Sequence, residues 1–246
     1  MEQVTDGLVL REVKVGEADK ILTILSPQLG IINASARGSR RLKSKLFSGC
    51  GLFCYSEFTL SSGRNTWFVQ QATVKRVFHG IGASVGGMAL AAYLAELTSL
   101  LPLTEKEAPR QMRLLLNSLY LISEQKKPLW QIKAVYELRT MTLNGYMPQL
   151  LCCRDCHKYD GDGFLLEYQG GELLCRDCAA RENKMPNLDQ GSLKALRYIC
   201  LMEDDQIFSF ELKEKSIPFL CRVAEEYTIY QMERPVKSLG FYHSVL

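Results

Sequence analysis

The sequence predicts an α+β chain of several domains: an N-terminal β-barrel of the oligonucleotide-binding (OB) type, then a helical domain carrying an inserted four-cysteine zinc hairpin. Three observations predict it. Residues 4–78 read as short strands separated by turns, residues 85–144 repeat apolar side chains at helical spacing, and two Cys-x-x-Cys motifs come soon after. The expected divisions are a barrel over 1–79, a first helical part over 80–149, a zinc-binding insertion over 150–183 and a second helical part over 184–246.

A chain of 246 residues is long enough for one large or two to three small domains, each with its own core. Its nine cysteines raise the question of a disulfide framework, but the odd number, the knuckle spacing and the charged start at 1–5 argue for a reducing cytoplasm. Cys50, Cys54, Cys200 and Cys221 then read as buried small hydrophobes. The most apolar stretch, 81–101, approaches membrane-spanning length but contains Glu96, Thr98 and Ser99, so a buried helix is expected and no membrane partner. The formal charge of +3 is unevenly spread: residues 1–78 hold eleven Lys/Arg against six Asp/Glu, a net of +5, and the remainder nets −2. The positive field belongs to the N-terminal part.

The strand-like runs are 7–13, 20–25, 31–36, 52–60 and 66–74, with the clearest turns at Pro27-Gln28-Leu29-Gly30 and Ser61-Ser62-Gly63-Arg64-Asn65. Five short strands without a long helix suit a small closed barrel, and an OB barrel fits best. An SH3-like barrel is the alternative that strand count cannot separate. Between the third and fourth runs, Arg37, Arg40, Arg41, Lys43 and Lys45 place five cations in nine residues with no acid among them. Such groups contact successive phosphates and release counterions, so they are the candidate DNA-binding residues; an ordinary solvated loop is the plainer reading. Tyr55, Trp67, Phe68 and Phe78 offer stacking faces or core packing.

Gly82-Ala83-Ser84-Val85-Gly86 matches the G-x-S-x-G nucleophile elbow, and Gly80-Ile81-Gly82 with Gly86 approaches a dinucleotide fingerprint. The hydrolase fold needs several parallel strands, whereas the chain beyond Ser84 reads helical except at the zinc hairpin, and the fingerprint is off by one in spacing. An interdomain linker accounts for these glycines. With only His79, His157 and His243, no H-E-x-x-H and no G-K-[ST], no catalytic residue, no nucleotide cofactor and no enzymatic activity are expected.

Helical patterns cover 85–101, closed by Pro102, then 105–125, ended before Pro128, and 129–144, ended by Gly145. Beyond the cysteines, Asp189 is placed to cap a helix to about 202, and Ser216 another to about 233. Between these lie Cys153-Arg154-Asp155-Cys156 and, after eighteen residues, Cys175-Arg176-Asp177-Cys178. Each knuckle sets two thiolates on one side of a turn, and residues 158–174 suffice for a hairpin that brings the pairs together around one Zn²⁺. A closed four-sulfur shell leaves no place for water or substrate, so this metal is structural. Cys153–His157 also matches C-x-x-C-H haem attachment, and each knuckle alone a redox dithiol; neither gives the second knuckle a role. Cys152 and His157, beside the cluster, read as bystanders, although spacing alone leaves a ligand exchange open.

Taken together, these segments resemble one family, the bacterial recombinational-repair mediator RecO. The resemblance runs through Gly38-Ser39-Arg40-Arg41, Tyr93-Leu94-Ala95-Glu96-Leu97, Tyr136-Glu137-Leu138-Arg139, Gly145-Tyr146-Met147-Pro148-Gln149-Leu150, the paired knuckles and Lys237-Ser238-Leu239-Gly240-Phe241. His157 stands where the family often has glycine. The resemblance implies a non-enzymatic, nucleoid-associated protein that binds single- and double-stranded DNA and anneals complementary strands. It also implies that, with RecR, the protein helps load recombinase onto strands coated by single-strand-binding protein. It implies a site for that protein's acidic, apolar C-terminal tail, for which Lys133, Tyr136 and Arg139, three apart on one helix, are the candidates. The alternative is a zinc-ribbon accessory factor of transcription or translation that binds RNA or proteins; preference for single-stranded DNA and annealing without nucleotide separate the two.

Overall fold

The first strand explains how the barrel closes. In the computed structural model, which describes residues 2–63 and 66–245, β1 (Glu2–Val15) is far longer than its apolar run because it serves two neighbours. Its first half pairs with β4 (Tyr55–Ser62) and its second half with β2 (Asp19–Ser26), with a register shift between Val9 and Arg11. Gly7 lies on the stretch paired with β4, where a Cβ would stand 2.6 Å from Ile24 and 2.9 Å from Phe58, so only glycine lets the strand pass this close to the core. β3 (Gly30–Ala36) follows β2 antiparallel, and β5 (Trp67–Arg76) pairs antiparallel with β4 and parallel with the end of β3. The closed order β1-β2-β3-β5-β4 is the Greek-key arrangement of the OB barrel, and the parallel β3–β5 seam distinguishes it from a meandering SH3-like barrel. Val9, Leu22, Ile24, Phe58, Leu60 and Val69 fill the interior.

The fourth strand begins at Tyr55, three residues later than its apolar run, because Phe53 turns the chain in a left-handed conformation (φ 59°). At the first expected turn Ser26 Oγ accepts the N–H groups of Gln28 and Leu29. Of the second, Arg64 and Asn65 lie outside the described residues.

After the barrel, a 3₁₀ turn at His79–Ala83 packs against the next helices. A Cβ on Gly80 would fall 2.0 Å from the Ser123 carbonyl oxygen, so this glycine is a packing requirement rather than a loose linker. Ser84 caps α1 (Val85–Ser99), its Oγ accepting from Gly87 N–H at 3.0 Å; the hydroxyl of the apparent nucleophile elbow holds a helix end. α2 (Ala108–Ser123) starts later than its periodicity suggests, after a turn closed by Thr104 and Glu107, with Pro109 in its first turn. Together with the C-terminal residues these elements form one compact unit, Met1–Lys126 with Val236–Leu246.

The second unit, Lys127–Pro235, is built on α3 (Leu129–Leu143), which is buried on nearly every side. β6 (Gln149–Cys153), β7 (Phe164–Glu167) and β8 (Glu172–Cys175) form a small sheet in the order β6-β8-β7; β7 and β8 are the expected hairpin and β6 runs parallel to β8. α4 (Arg176–Arg181), α5 (Gln190–Leu201) and α6 (Ile217–Met232) complete the unit. Asp189 caps α5 in a reciprocal capping box with Ser192. Ser216 does not cap α6 as its residue type suggests: it is itself helical, and its hydroxyl donates to Asp189 Oδ2 at 2.6 Å. The last helix, α7 (Lys237–Ser244), returns to the first unit, where Tyr242 stacks on Tyr93 of α1 with ring centres 6.5 Å apart. Among the described residues no helix is long and apolar enough to cross a membrane.

Candidate nucleic-acid interface and metal centre

The basic segment lies in the turn-rich loop between β3 and β4, and its backbone is fixed. Gly38 takes φ 66° and donates its N–H to Asp19 Oδ1 at 2.7 Å; buried Ser39 donates to Ala36 O at 2.8 Å; Arg40 N–H reaches Ala18 O at 2.9 Å. Further on, Leu46 and Cys50 plug into the barrel core. Between these anchors Arg41, Lys43 and Lys45 are exposed, as is Arg37 before them. Arg37 lies over the Phe68 ring, 5.0 Å from its centre, while Arg40 is half-buried and donates from Nη1 to Gly16 O at 2.8 Å. Among the described residues none of the five makes an ion pair with a carboxylate. Arg37, Ser35, Ser61, Phe68 and Gln70 line a shallow polar groove on the barrel wall. Of the other aromatics, Phe78 is core, Trp67 packs partly against the barrel interior, and Tyr55 donates its hydroxyl to Asp6 Oδ2 at 2.9 Å.

The four knuckle cysteines converge. Cys153 ends β6, Cys156 sits in the turn beyond it, Cys175 ends β8 and Cys178 lies in α4. All four sulfurs lie within 4.8 Å of one another, and the Cys156 and Cys175 sulfurs are 3.5 Å apart. Zn–S bonds of about 2.3 Å set tetrahedral S···S edges of about 3.8 Å, so the donor set fits zinc in size and chemistry. Burial pushes the Cys153 thiol up, but the N–H groups of Cys156, Cys175 and Asp155 outweigh it and bring it down to about 6. Cys178 is pushed up to about 12 by burial and by the neighbouring sulfurs, while Arg181 donates to its sulfur at 2.7 Å. Four sulfurs this close cannot all ionise together unless a cation sits between them. Cys152 stands outside the cluster, its sulfur 3.8 Å from His157 Nδ1; His157 itself adopts φ 59°, the conformation that glycine takes freely.

Sequence reasoning missed what braces this centre. Arg154, inside the first knuckle, donates to Glu167 and Glu182 at 2.5 Å each, and Lys184 bonds the same two carboxylates. These partners are up to 28 residues away in the chain, and only the hairpin brings them together.

Lys133, Tyr136 and Arg139 do not form the open pocket expected of them. Tyr136 is fully buried. Lys133 Nζ bonds Glu137 at 2.6 Å and Glu225 at 2.7 Å; burial lowers its pKa, yet the two carboxylates outweigh that and raise it. Arg139 pairs with Asp204 and donates to the carbonyls of Ile199 and Cys200 at 3.2 and 2.9 Å. Lys133 thus meets α6, and Arg139 meets the end of α5 and Asp204 beyond it, so the two cations are taken up inside this unit.

An OB-order barrel with a basic loop free of carboxylate partners, a helical body and a four-cysteine element define a class: barrel proteins with a cationic surface loop and a cysteine cluster able to hold a metal ion. Within that class the comparison with known proteins is specific. Residues 1–78 match the model described as Recombination protein O N terminal, and 85–240 match Recombination protein O C terminal. The chain is 33% identical to DNA repair protein RecO of Acetivibrio thermocellus over 96% of its length and 94% of that relative, and 29% identical to DNA repair protein RecO of Alkaliphilus metalliredigens over 94% of each. The chain belongs to the RecO family.

Proposed function

We propose that this chain is a non-catalytic DNA-binding mediator of recombinational repair that acts in the cytoplasm at the nucleoid. It binds single- and double-stranded DNA, anneals complementary strands and, with RecR, helps load recombinase onto strands coated by single-strand-binding protein. The observation that supports this best is the loop of Arg37, Arg40, Arg41, Lys43 and Lys45, five cations without carboxylate partners on a barrel of OB order. Residues 1–79 act as the nucleic-acid module, 80–149 and 184–246 as the helical scaffold, and 150–183 as an insertion held by one structural Zn²⁺ on Cys153, Cys156, Cys175 and Cys178. When bound, the metal supplies cross-linking of the two knuckles.

The test replaces Arg41, Lys43 and Lys45 with alanine; Arg40 is left intact because it also holds Gly16. Binding to single strands falls with salt by about 0.7 in log–log slope per phosphate neutralised, so the triple variant should flatten the slope by about 2 and lose annealing in parallel. A wild-type slope and annealing rate in that variant would overturn the reading.

An acidic tail of single-strand-binding protein reaches Lys133, Tyr136 and Arg139 only by taking the places of Glu225 and Asp204. Glu225→Gln removes one competitor and should tighten binding of an acidic tail peptide. Unchanged or weaker affinity would remove Lys133 from the tail site.

A further inference from the structure

We propose that Arg76 and Lys126, gathered on the ring of Tyr120, form a second phosphate contact for nucleic acid, separate from the basic loop. Arg76 ends β5, and its guanidinium carbon lies 4.7 Å from the centre of the Tyr120 ring and 5.5 Å from that of Phe78. Lys126, just beyond α2, places its Nζ 4.6 Å from the centre of the same Tyr120 ring and 2.5 Å from the Tyr120 hydroxyl oxygen. Both cations are exposed, and neither pairs with a carboxylate among the described residues. Lys75, the neighbour of Arg76, contrasts with them: it is tied to Asp6 and Glu57.

Two like charges on one ring are held by a weak counter-charge, since the face of an aromatic quadrupole supplies no full anion. Glu124 attracts Lys126 electrostatically but forms no ion pair with it. The cluster therefore presents a positive pair steadied by an aromatic ring, an arrangement suited to the phosphates of a nucleic-acid backbone. Its place on the barrel sets it apart from the loop. Arg37 lies over Phe68, eight residues before Arg76 on β5, and a strand advances about 3.3 Å per residue, so the two contacts stand roughly 25 Å apart along it. A short oligonucleotide fills one of them; a long one reaches both.

The inference rests on the nucleic-acid reading of the barrel, and the experiment keeps the two apart. The Arg76→Gln, Lys126→Gln protein is titrated with oligothymidylates of about 3 and about 30 nucleotides across a salt series, beside the loop variant. The long strand should lose about 1.4 from its salt slope and the short strand nothing. Wild-type slopes for both lengths would overturn the second contact, and equal losses for both would show that the pair only steadies the barrel. If the loop variant keeps the wild-type slope, the barrel reading fails whatever the paired variant does.

Discussion

Cys153, Cys156, Cys175 and Cys178 hold their sulfurs within 4.8 Å of one another, and a serine at any one position leaves three thiols where a tetrahedral ion takes four. Since metal binding and local folding are one equilibrium in such elements, Cys153→Ser or Cys175→Ser should purify with less than one zinc per chain and with the cysteine element melted. Metal analysis beside circular dichroism measures both; a metal-free wild-type protein that keeps this element folded would refute the zinc assignment. Lys133 makes a different demand. Its ammonium faces Glu137, which is 0% exposed, so Lys133→Ala removes the cation from beside a carboxylate that water does not reach. Losing one partner of a buried pair costs about 3–5 kcal/mol, which urea denaturation should register, whereas exposed Lys43→Ala should shift stability by less than about 0.5 kcal/mol.

The helix α7 shows why some elements escaped the sequence. Its N-terminus is capped from 142 residues away: Glu96 of α1 accepts the N–H groups of Lys237 and Ser238 and the Ser238 hydroxyl. Burial raises the Glu96 pKa, but the Ser238 and Lys237 bonds outweigh it and leave it lowered. A depressed carboxylate stabilises the fold above its unfolded pKa of about 4.3, and that contribution is lost as pH falls through the lower folded value. The α1–α7 contact should therefore loosen on acidification below about pH 4, and Glu96→Gln should remove that dependence and cost about 1 kcal/mol, as lost caps do. Hydrogen exchange across 237–244 reads it; identical pH profiles in the two proteins would refute the cap. Elements whose signal is local were legible: the five strands, the stripes of α1 to α3, Asp189 as a cap, and the cysteine spacing. Those whose reason is distant were not. The extra length of β1 comes from having two partners, Ser216 spends its hydroxyl on Asp189, and the buried fate of Lys133 and Arg139 depends on acids 92 and 65 residues away.

The division of the chain into two units separates the two candidate sites, with the basic loop in Met1–Lys126 and the four cysteines in Lys127–Pro235. The charge distribution runs along the same line, because the first unit holds sixteen Lys/Arg against ten Asp/Glu, a net of +6, and the second fourteen against seventeen, a net of −3. Within residues 150–183 seven Asp/Glu outnumber four Lys/Arg; Arg154 is paired with Glu167 and Glu182, Lys158 with Asp177, and Arg181 donates to the Cys178 sulfur, so the element carries net negative charge and offers phosphates little beyond exposed Arg176. Stripping the metal with a chelator should then melt the cysteine element while the barrel keeps its strand signal and its affinity for a single strand. The salt slope should also stay within about one phosphate, roughly 0.7, of the holo protein. Binding measured by fluorescence anisotropy before and after chelation, with circular dichroism on the same samples, makes the comparison. A slope that collapses together with metal loss would instead assign phosphate contacts to the cysteine element, and the barrel loop would then be only part of the path.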